Sequence, residues 1–356
     1  MMMSCIRGPF MFFLLLGALT AMWLARVIQD QQAAFRDADF SQLASNLTVI
    51  VTGSNSGLGY ATVEHLARMG TAHTVVMACR NQAKCQDAQK RASRLIPQGS
   101  STRLVAMSLD LASRSSIESF AQEFHDNNAT IDVLINNAGI FTSSSGLTYI
   151  DGVEEHMQVN YLGHVVLTHL LWPLLEKSHA RVVSVSSISA LIPSDPTVGW
   201  FSKDPPLWSA RFAVLGGLFR YFRSKRANLM FAQHLDQQRS SHVSSVASHP
   251  GYTRSEIWSQ GAQIFPSWMG RFIQWNPLCS MSSSDGGLTQ LWAALDRRGV
   301  PSGTYVGPQW WLFGTPILLG RIGDFGFPPH YWPLSKESEL WEQTLQTLGI
   351  RQFSMP

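Results

Sequence analysis

The stretch 47–70 constrains this chain more than any other. It reads LTVIVT, then GSNSGLG, then a helix-patterned run that ends in Gly70. A short apolar, β-branched run bounded by glycine reads as a buried strand. The spacing G-x-x-x-G-x-G of Gly53, Ser54, Asn55, Ser56, Gly57, Leu58 and Gly59 permits a tight turn. Glycine also lets the backbone approach a pyrophosphate closely. Leu58, Thr62, Leu66 and Met69 then fall on one helical face. A helix starting there turns free N–H groups and a positive dipole end toward an anion. Strand, glycine turn and amphipathic helix in this order are the context that separates a nucleotide loop from an ordinary one.

The alternation continues along the chain. Apolar strands are expected at 47–52, 73–79, 104–109, 131–135, 181–185, 243–247 and 303–306. Helix-length segments separate them. The fold class expected is therefore α/β, a doubly wound parallel sheet of Rossmann type in a single domain, 46–310. Ligands of such sheets bind at the carboxyl ends of the strands. Ser284 is the expected cap of the helix that follows. Residues 311–356 form a C-terminal extension ending in a surface helix near 337–348.

The first residues set a different constraint. Residues 10–25 are FMFFLLLGALTAMWLA, flanked by Arg7 and Arg26. A membrane span needs about 20 apolar residues, and Val27 and Ile28 extend the run if Arg26 snorkels. An uncleaved N-terminal membrane-anchor helix, 1–28, is expected, with a polar linker over 29–45. A cleaved signal peptide is the rival reading. Charged residues make up 14% of the chain and there are 12 Trp. That charge content is well below the roughly 25% of soluble domains, and Trp suits a membrane interface. Net charge is +3, too small to argue for a nucleic-acid partner. Cys5, Cys79, Cys85 and Cys279 show neither a CxxC pair nor disulfide-rich spacing. They read as thiols of a reduced-compartment domain, without a metal site.

The end of the second strand selects the nucleotide. An Asp or Glu there would hold a ribose 2′-hydroxyl and repel a 2′-phosphate. This chain has Met77-Ala78-Cys79-Arg80-Asn81 instead. Arg80 can pair a 2′-phosphate bidentately, with Lys84 as a helper, so NADP(H) is the expected cofactor.

Three further groups stand at strand ends or on helices. Asn136-Asn137-Ala138-Gly139 closes the fourth strand, and Ser184-Val185-Ser186-Ser187 closes the fifth. Tyr221-Phe222-Arg223-Ser224-Lys225 opens an expected helix and puts Tyr221 and Lys225 on one face. A phenol titrating near 10 is a poor base at neutral pH. A nearby ammonium and a cationic nicotinamide would bring it down. Tyr221 would then exchange a proton with substrate, and Ser187 would hold the same oxygen.

With this ordered set, the chain resembles the short-chain dehydrogenase/reductase family over roughly 46–305. Within it, the retinol dehydrogenase-like group is the nearest likeness, through MACRN, NYLGH, YFRSKRANLMF and HPGYTRSE. The resemblance implies hydride transfer to or from a nicotinamide, with a tetrad of Asn160, Ser187, Tyr221 and Lys225. Asn160 would hold a helix kink. Asp110, with Leu111 beside it, would meet the adenine, and Asn137, Ala138 and Gly139 would wall the adenosine ribose. Pro250 and Gly251 would flank the nicotinamide, and Ser255 would contact its carboxamide where the family usually has Thr. The group also implies an apolar substrate (a retinoid, steroid or lipid aldehyde), an intracellular membrane such as the endoplasmic reticulum, and pairing into a homodimer.

Two segments depart from the commoner pattern. The stretch 188–220 between Ser187 and Tyr221 is long and carries Trp200, Phe201, Trp208 and the apolar run 212–219. It is open to reading as a substrate cover, a membrane-dipping segment or a core decoration. Residues 252–282, with Trp258, Phe265, Trp268, Phe272 and Trp275, are the expected substrate lid. Two alternatives stay open: reduction of a carbon–carbon double bond, from a weaker likeness to protochlorophyllide reductases, and an NADP(H)-binding scaffold without turnover. His156 is expected to be a packed helix residue, as are His65 and His169.

Overall fold

The computed structural model describes residues 44–71, 73–127, 129–142, 148–191, 201, 213–238, 242–253, 281–312, 314–322 and 335–350, with Thr20, Trp23, Arg26 and Val27. The apolar run 10–25 for the most part, residues 254–280 of the expected lid, and Ser255 lie outside them.

Strand and helix alternate as the pattern requires. β1 is Thr48–Thr52, α1 Gly57–Met69, β2 Thr74–Cys79, α2 Gln82–Ser93, β3 Arg103–Ser108, α3 Arg114–Asp126 and β4 Val133–Asn136. A small hairpin follows, β5 Tyr149–Ile150 and β6 Val153–Glu154. The chain then makes a turn at Glu155–Met157, a π-turn at Gln158–Leu162 and α4, Gly163–Lys177. β7 is Arg181–Val185, α5 Ala213–Gln237, β8 Ser244–Ser248, α6 Ser283–Leu295, β9 Thr304–Pro308, β10 Pro316–Arg321 and α7 Ser335–Leu348.

The main sheet has the order β10-β9-β8-β7-β4-β1-β2-β3. All neighbours are parallel except β10, which runs antiparallel to β9. The chain leaves β1 toward β2 and β3, then returns to place β4 on the other side. That reversal opens a crevice at the carboxyl ends of β1 and β4.

Side chains alternate across each strand, so each strand feeds two cores. Ile50, Val76, Leu134 and Val182 point into a core with α3, α4 and α5. Val49, Val51, Val75, Met77, Val133, Ile135 and Val183 point to the other, with α1, α2 and α6. Gly70 caps α1 in the left-handed region, φ 64°.

Four expectations change. The helix bearing Tyr221 starts at Ala213, so the tyrosine sits in its interior and part of the apolar run 212–219 forms its first turns. Gly216 and Gly217 argue against helix locally, but both are buried against the fold. Packing overrides propensity there. The helix after the lid is capped by Ser282, whose hydroxyl accepts from Asp285 N at 3.1 Å, in a capping box with Asp285. The acid three residues on, absent for Ser284, sets that register. β10 extends the sheet beyond the seventh expected strand. Finally, Cys79 and Cys85 form a disulfide, with Cα atoms 5.8 Å apart. One closes β2 and the other lies in the first turn of α2, so the β–α turn brings together residues whose spacing alone carries no signal. Among the described residues, no helix is long and apolar enough to cross a membrane.

Candidate active site

The glycine loop leaves β1 and packs directly on the end of β4. Gly53 has φ +65°, and a Cβ there would lie 2.8 Å from the Ala138 Cα. At Gly59 a Cβ would sit 2.5 Å from Asn137 Nδ2 and 2.6 Å from the Gly53 oxygen. Both positions need glycine for close approach, and Gly57, at φ +56°, needs it for backbone conformation. The first turn of α1 carries no acid, so its dipole end faces the loop unopposed.

Thr52 is the hub of this cradle. Its hydroxyl oxygen accepts from Asn137 N and Ala138 N, both at 2.9 Å. Asn137 Nδ2 donates to the Thr52 carbonyl at 2.8 Å, and its Oδ1 accepts from Gln290 at 3.2 Å. Asp110 Oδ1 accepts from Ala112 N at 2.9 Å, which fixes the turn around Leu111. Arg80 stands exposed just past β2. A nucleotide fits what is here: a Cβ-free loop, an acid-free helix start and an exposed guanidinium at the ribose end. Gly251, with φ +70°, lies under Leu312, whose carbonyl a Cβ would meet at 2.5 Å. Pro250 borders Gly286 of α6.

Asn160, Ser187, Tyr221 and Lys225 all converge, and all are nearly buried, at 0, 8, 7 and 3% exposure. Asn160 sits in the middle of the π-turn. Its Oδ1 accepts from Ile140 N at 2.7 Å, and its Nδ2 donates to the Ile140 carbonyl and to Ser224 Oγ, both at 3.0 Å. It therefore ties the end of β4 to α5. Ser187 Oγ accepts from Ser189 N at 3.2 Å and Ser189 Oγ at 2.9 Å. Its own proton is left for the Tyr221 oxygen, to which it hydrogen-bonds. Ser186 is used elsewhere, donating to the Lys225 carbonyl at 2.7 Å.

Lys225 Nζ donates to the Val185 carbonyl at 3.1 Å and lies 5.8 Å from the Tyr221 ring centre. It also stands against Gly139, where a Cβ would meet it at 3.3 Å. Burial pushes the Lys225 ammonium down to about 8. Burial pushes the Tyr221 phenol up, opposed by the Ser187 hydrogen bond. The Tyr221–Lys225 spacing leads one to expect a lowered phenol. In the chain alone desolvation dominates instead, and the Lys225 ammonium is directed at the Val185 carbonyl.

Two histidines matter more than their sequence context suggests. His164 Nδ1 donates to the Asn160 carbonyl at 3.0 Å, while Nε2 meets Thr52 Oγ1 at 2.9 Å. It bridges the cofactor cradle and the cluster, and burial pushes it down to about 4, so it is neutral. His156 lies edge-on to Tyr221, ring centres 6.5 Å apart, with Phe141 5.4 Å from the same tyrosine. No spacing rule flags either contact. Ser189, which donates to Ser187 from two residues on, has no signal of its own in the sequence.

A family model described as short chain dehydrogenase matches residues 47–199. Retinol dehydrogenase 12 of Mus musculus is 35% identical over 266 residues, covering 72% of this chain and 76% of that one. The chain belongs to the short-chain dehydrogenase/reductase family. It falls in the retinol dehydrogenase-like group, together with retinol dehydrogenase 14 of Homo sapiens, 33% identical over 67% of this chain. A WW domain-containing oxidoreductase of Gallus gallus is 39% identical over 212 residues, but the chain spans only 49% of its length. The crystal structure of L-sorbose reductase from Gluconobacter frateurii, complexed with NADPH and L-sorbose, shares the fold. Its TM-score is 0.54 at 18% identity, over 71% of this chain and 91% of that one. Membership makes this dehydrogenase/reductase a nicotinamide-dependent oxidoreductase. The glycine loop, the NNAG turn and the buried Asn–Ser–Tyr–Lys cluster are the candidates for its cofactor and reaction ends.

Proposed function

We propose that the protein is an NADP(H)-dependent reductase or dehydrogenase acting on a carbonyl or alcohol of an apolar, retinoid-, steroid- or lipid aldehyde-like substrate. The observation that carries this reading is the buried pair of Tyr221 and Ser187, with Lys225 one helical turn on and Asn160 behind them. The nicotinamide, when bound, gives or takes the hydride. Tyr221 holds the proton that goes to the carbonyl oxygen, and Ser187 directs a hydroxyl at the same place. Lys225 favours the phenolate once its ammonium swings from the Val185 carbonyl. Gly53, Ser54, Asn55, Ser56, Gly57, Leu58 and Gly59 cradle the pyrophosphate. Asp110, Leu111, Asn137, Ala138 and Gly139 line the adenosine, and Pro250, Gly251 and Ser255 the nicotinamide.

Arg80 favours NADP(H), because no acid stands at the end of β2 to repel a 2′-phosphate. Residues 1–28 are proposed as a membrane anchor, which delivers the enzyme to lipid-dissolved substrate, with 252–282 as an apolar lid and a homodimer as the assembled form. Retinol dehydrogenase relatives, by their names, support the substrate class.

The test is NADPH consumption by membranes carrying the full chain, offered retinaldehyde, a steroid ketone and a long-chain aldehyde, with NADH as control. Tyr221→Phe is expected to lose at least about 100-fold, the scale of proton-transfer catalysis. Arg80→Glu is expected to bring NADPH and NADH to within a few-fold of each other. Tight NADPH binding without turnover of any carbonyl would overturn the carbonyl reading. Absence of NADPH binding would overturn the cofactor.

A further inference from the structure

Outside the tetrad, one heavily committed buried charge among the described residues is a carboxylate. Glu154 ends β6 and is 2% exposed. Its Oε1 accepts from His156 Nδ1 at 2.6 Å and stands 3.5 Å from Arg220 Nε; its Oε2 accepts from Met157 N at 3.2 Å. Both partners are buried too, His156 at 0% and Arg220 at 6% exposure. A carboxylate taken out of water is costly unless paired and hydrogen-bonded on all sides. This one is. Burial alone would raise its titration point, but the His156 hydrogen bond and the Met157 N–H together hold it below the ordinary range.

The neighbouring groups do not make a metal site of it. Glu154, Glu155 and His156 bring ligand atoms within 4.8 Å of one another. His156, however, spends both nitrogens: Nδ1 on Glu154, and Nε2 in accepting from Thr142 N at 3.0 Å. Glu155 takes the Thr142 hydroxyl. No lone pair of the imidazole is left for an ion.

What these contacts join is informative. Glu154 lies six residues before Asn160, on the segment that leads into the π-turn. Arg220 is the residue before Tyr221 on α5. Four residues on, Ser224 accepts the Asn160 Nδ2 proton at 3.0 Å and donates to the Tyr221 carbonyl at 2.8 Å. Helix α5 is thus pinned to one short segment at two points, 220 and 224, one turn apart, and Tyr221 lies between them. The ring is also bracketed. Phe141 meets it edge-on at 88° and His156 at 78°. Rotation of α5 about its axis would have to break an ion pair and a hydrogen bond and push through two rings.

We infer that Glu154 is a positioning residue for Tyr221: through Arg220 and His156 it fixes the rotation of α5 and so the direction of the phenolic proton. This rests on the catalytic reading of Tyr221 given above. The Glu154 side chain is bonded to His156, Met157 N and Arg220, and the glycine-loop cradle is built from other elements. Its loss should therefore strike the turnover rate and spare nucleotide affinity. A displacement of about 1 Å at a reacting group is enough to cost roughly 100-fold.

The experiment uses the full chain in three variants, Glu154→Gln, Arg220→Met and the two combined. For each, NADPH affinity is read by fluorescence, turnover by NADPH consumption, and hydrogen–deuterium exchange by mass spectrometry over 155–165 and 216–228. Each single variant is expected to lower kcat by roughly 10- to 100-fold with NADPH Kd within about threefold of the parent. Exchange should rise in both segments together. The two side chains contact each other directly and the double variant removes both, so its losses should be smaller than the product of the singles. Unchanged kcat, exchange that rises in only one segment, or multiplicative losses in the double variant would each overturn the inference. Should the parent chain turn over no carbonyl at all, the functional reading fails, while the paired exchange response still decides whether Glu154 couples the two segments.

Discussion

At Gly139 the glycine-loop cradle meets the buried Asn160–Ser187–Tyr221–Lys225 cluster, and the two are held by different forces. The cradle is neutral. Thr52, Asn137, Gln290 and the loop backbone hydrogen-bond one another, and two missing Cβ atoms let β1 and β4 approach. The cluster is ionisable. Lys225, Glu154 and Arg220 are all under 7% exposed, and each meets a specific partner. A neutral, sterically fitted region fails by shape and shows no pH dependence. A region of buried charge fails by desolvation and must answer to pH. His164, hydrogen-bonded to both, is kept neutral so that it joins them without adding a charge.

The sharpest way to break this contrast is at Gly59. A methyl there meets Asn137 Nδ2 at 2.5 Å and backbone oxygen at 2.6 Å, with rigid structure on both sides. Overpacking of this kind costs about 1–3 kcal/mol. Carried entirely by the bound state, that is roughly a 5- to 150-fold weaker NADPH affinity. Titration of Gly59→Ala by fluorescence should give that loss equally at pH 6 and pH 9. A loss that varied with pH would mean that a titrating group supports the cradle after all.

Lys225 should behave in the opposite manner. Its ammonium titrates at about 8 in the fold against an ordinary 10.5. Between those values the unfolded chain binds more protons, so stability rises with pH through that window. Below about 8 the folded chain carries the full cost of the buried charge. Lys225→Met removes that cost and should unfold no earlier than the parent at pH 7, with the difference between them shrinking toward pH 10.5. Turnover should fall in the parent as pH passes about 8, because the ammonium is lost, and should be low throughout in the variant. Thermal melts and rate profiles at five or six pH values check both. Flat melts would mean that Lys225 reaches water in solution.

These two regions also differ in how far they are legible from the chain. The cradle announces itself, because strand, glycine spacing and helix lie in one stretch, 47–70, and its physics is local. Tyr221 and Lys225 are visible through their four-residue spacing. Their surroundings are not, because Glu154, His156 and Arg220 meet across sixty-odd residues of chain and none has a periodicity that marks it. The same holds for the helix start at Ala213, where buried packing overrides two glycines, and for Cys79 and Cys85, whose pairing depends on how β2 turns into α2.

That last pair supplies the smallest test. The disulfide lies in the core on the α1, α2 and α6 side, with both cysteines essentially buried, and ties the end of β2 to the first turn of α2. It flanks Arg80 and Asn81, the latter capping α2 through Lys84 N at 3.0 Å. Closing so short a loop is worth about 2 kcal/mol in the chain-entropy account. Cys85→Ala should lower the unfolding free energy from urea titration by that amount in oxidising buffer, and dithiothreitol should bring the parent down by a similar step. NADPH affinity should move less than about threefold, since the Thr52 bonds do not involve sulfur and the glycine loop meets it only through Ser54 Oγ, 3.5 Å from Cys79 Sγ. A larger change in affinity would place the disulfide inside the cradle's own support, and the neutral region would then have a redox-dependent member.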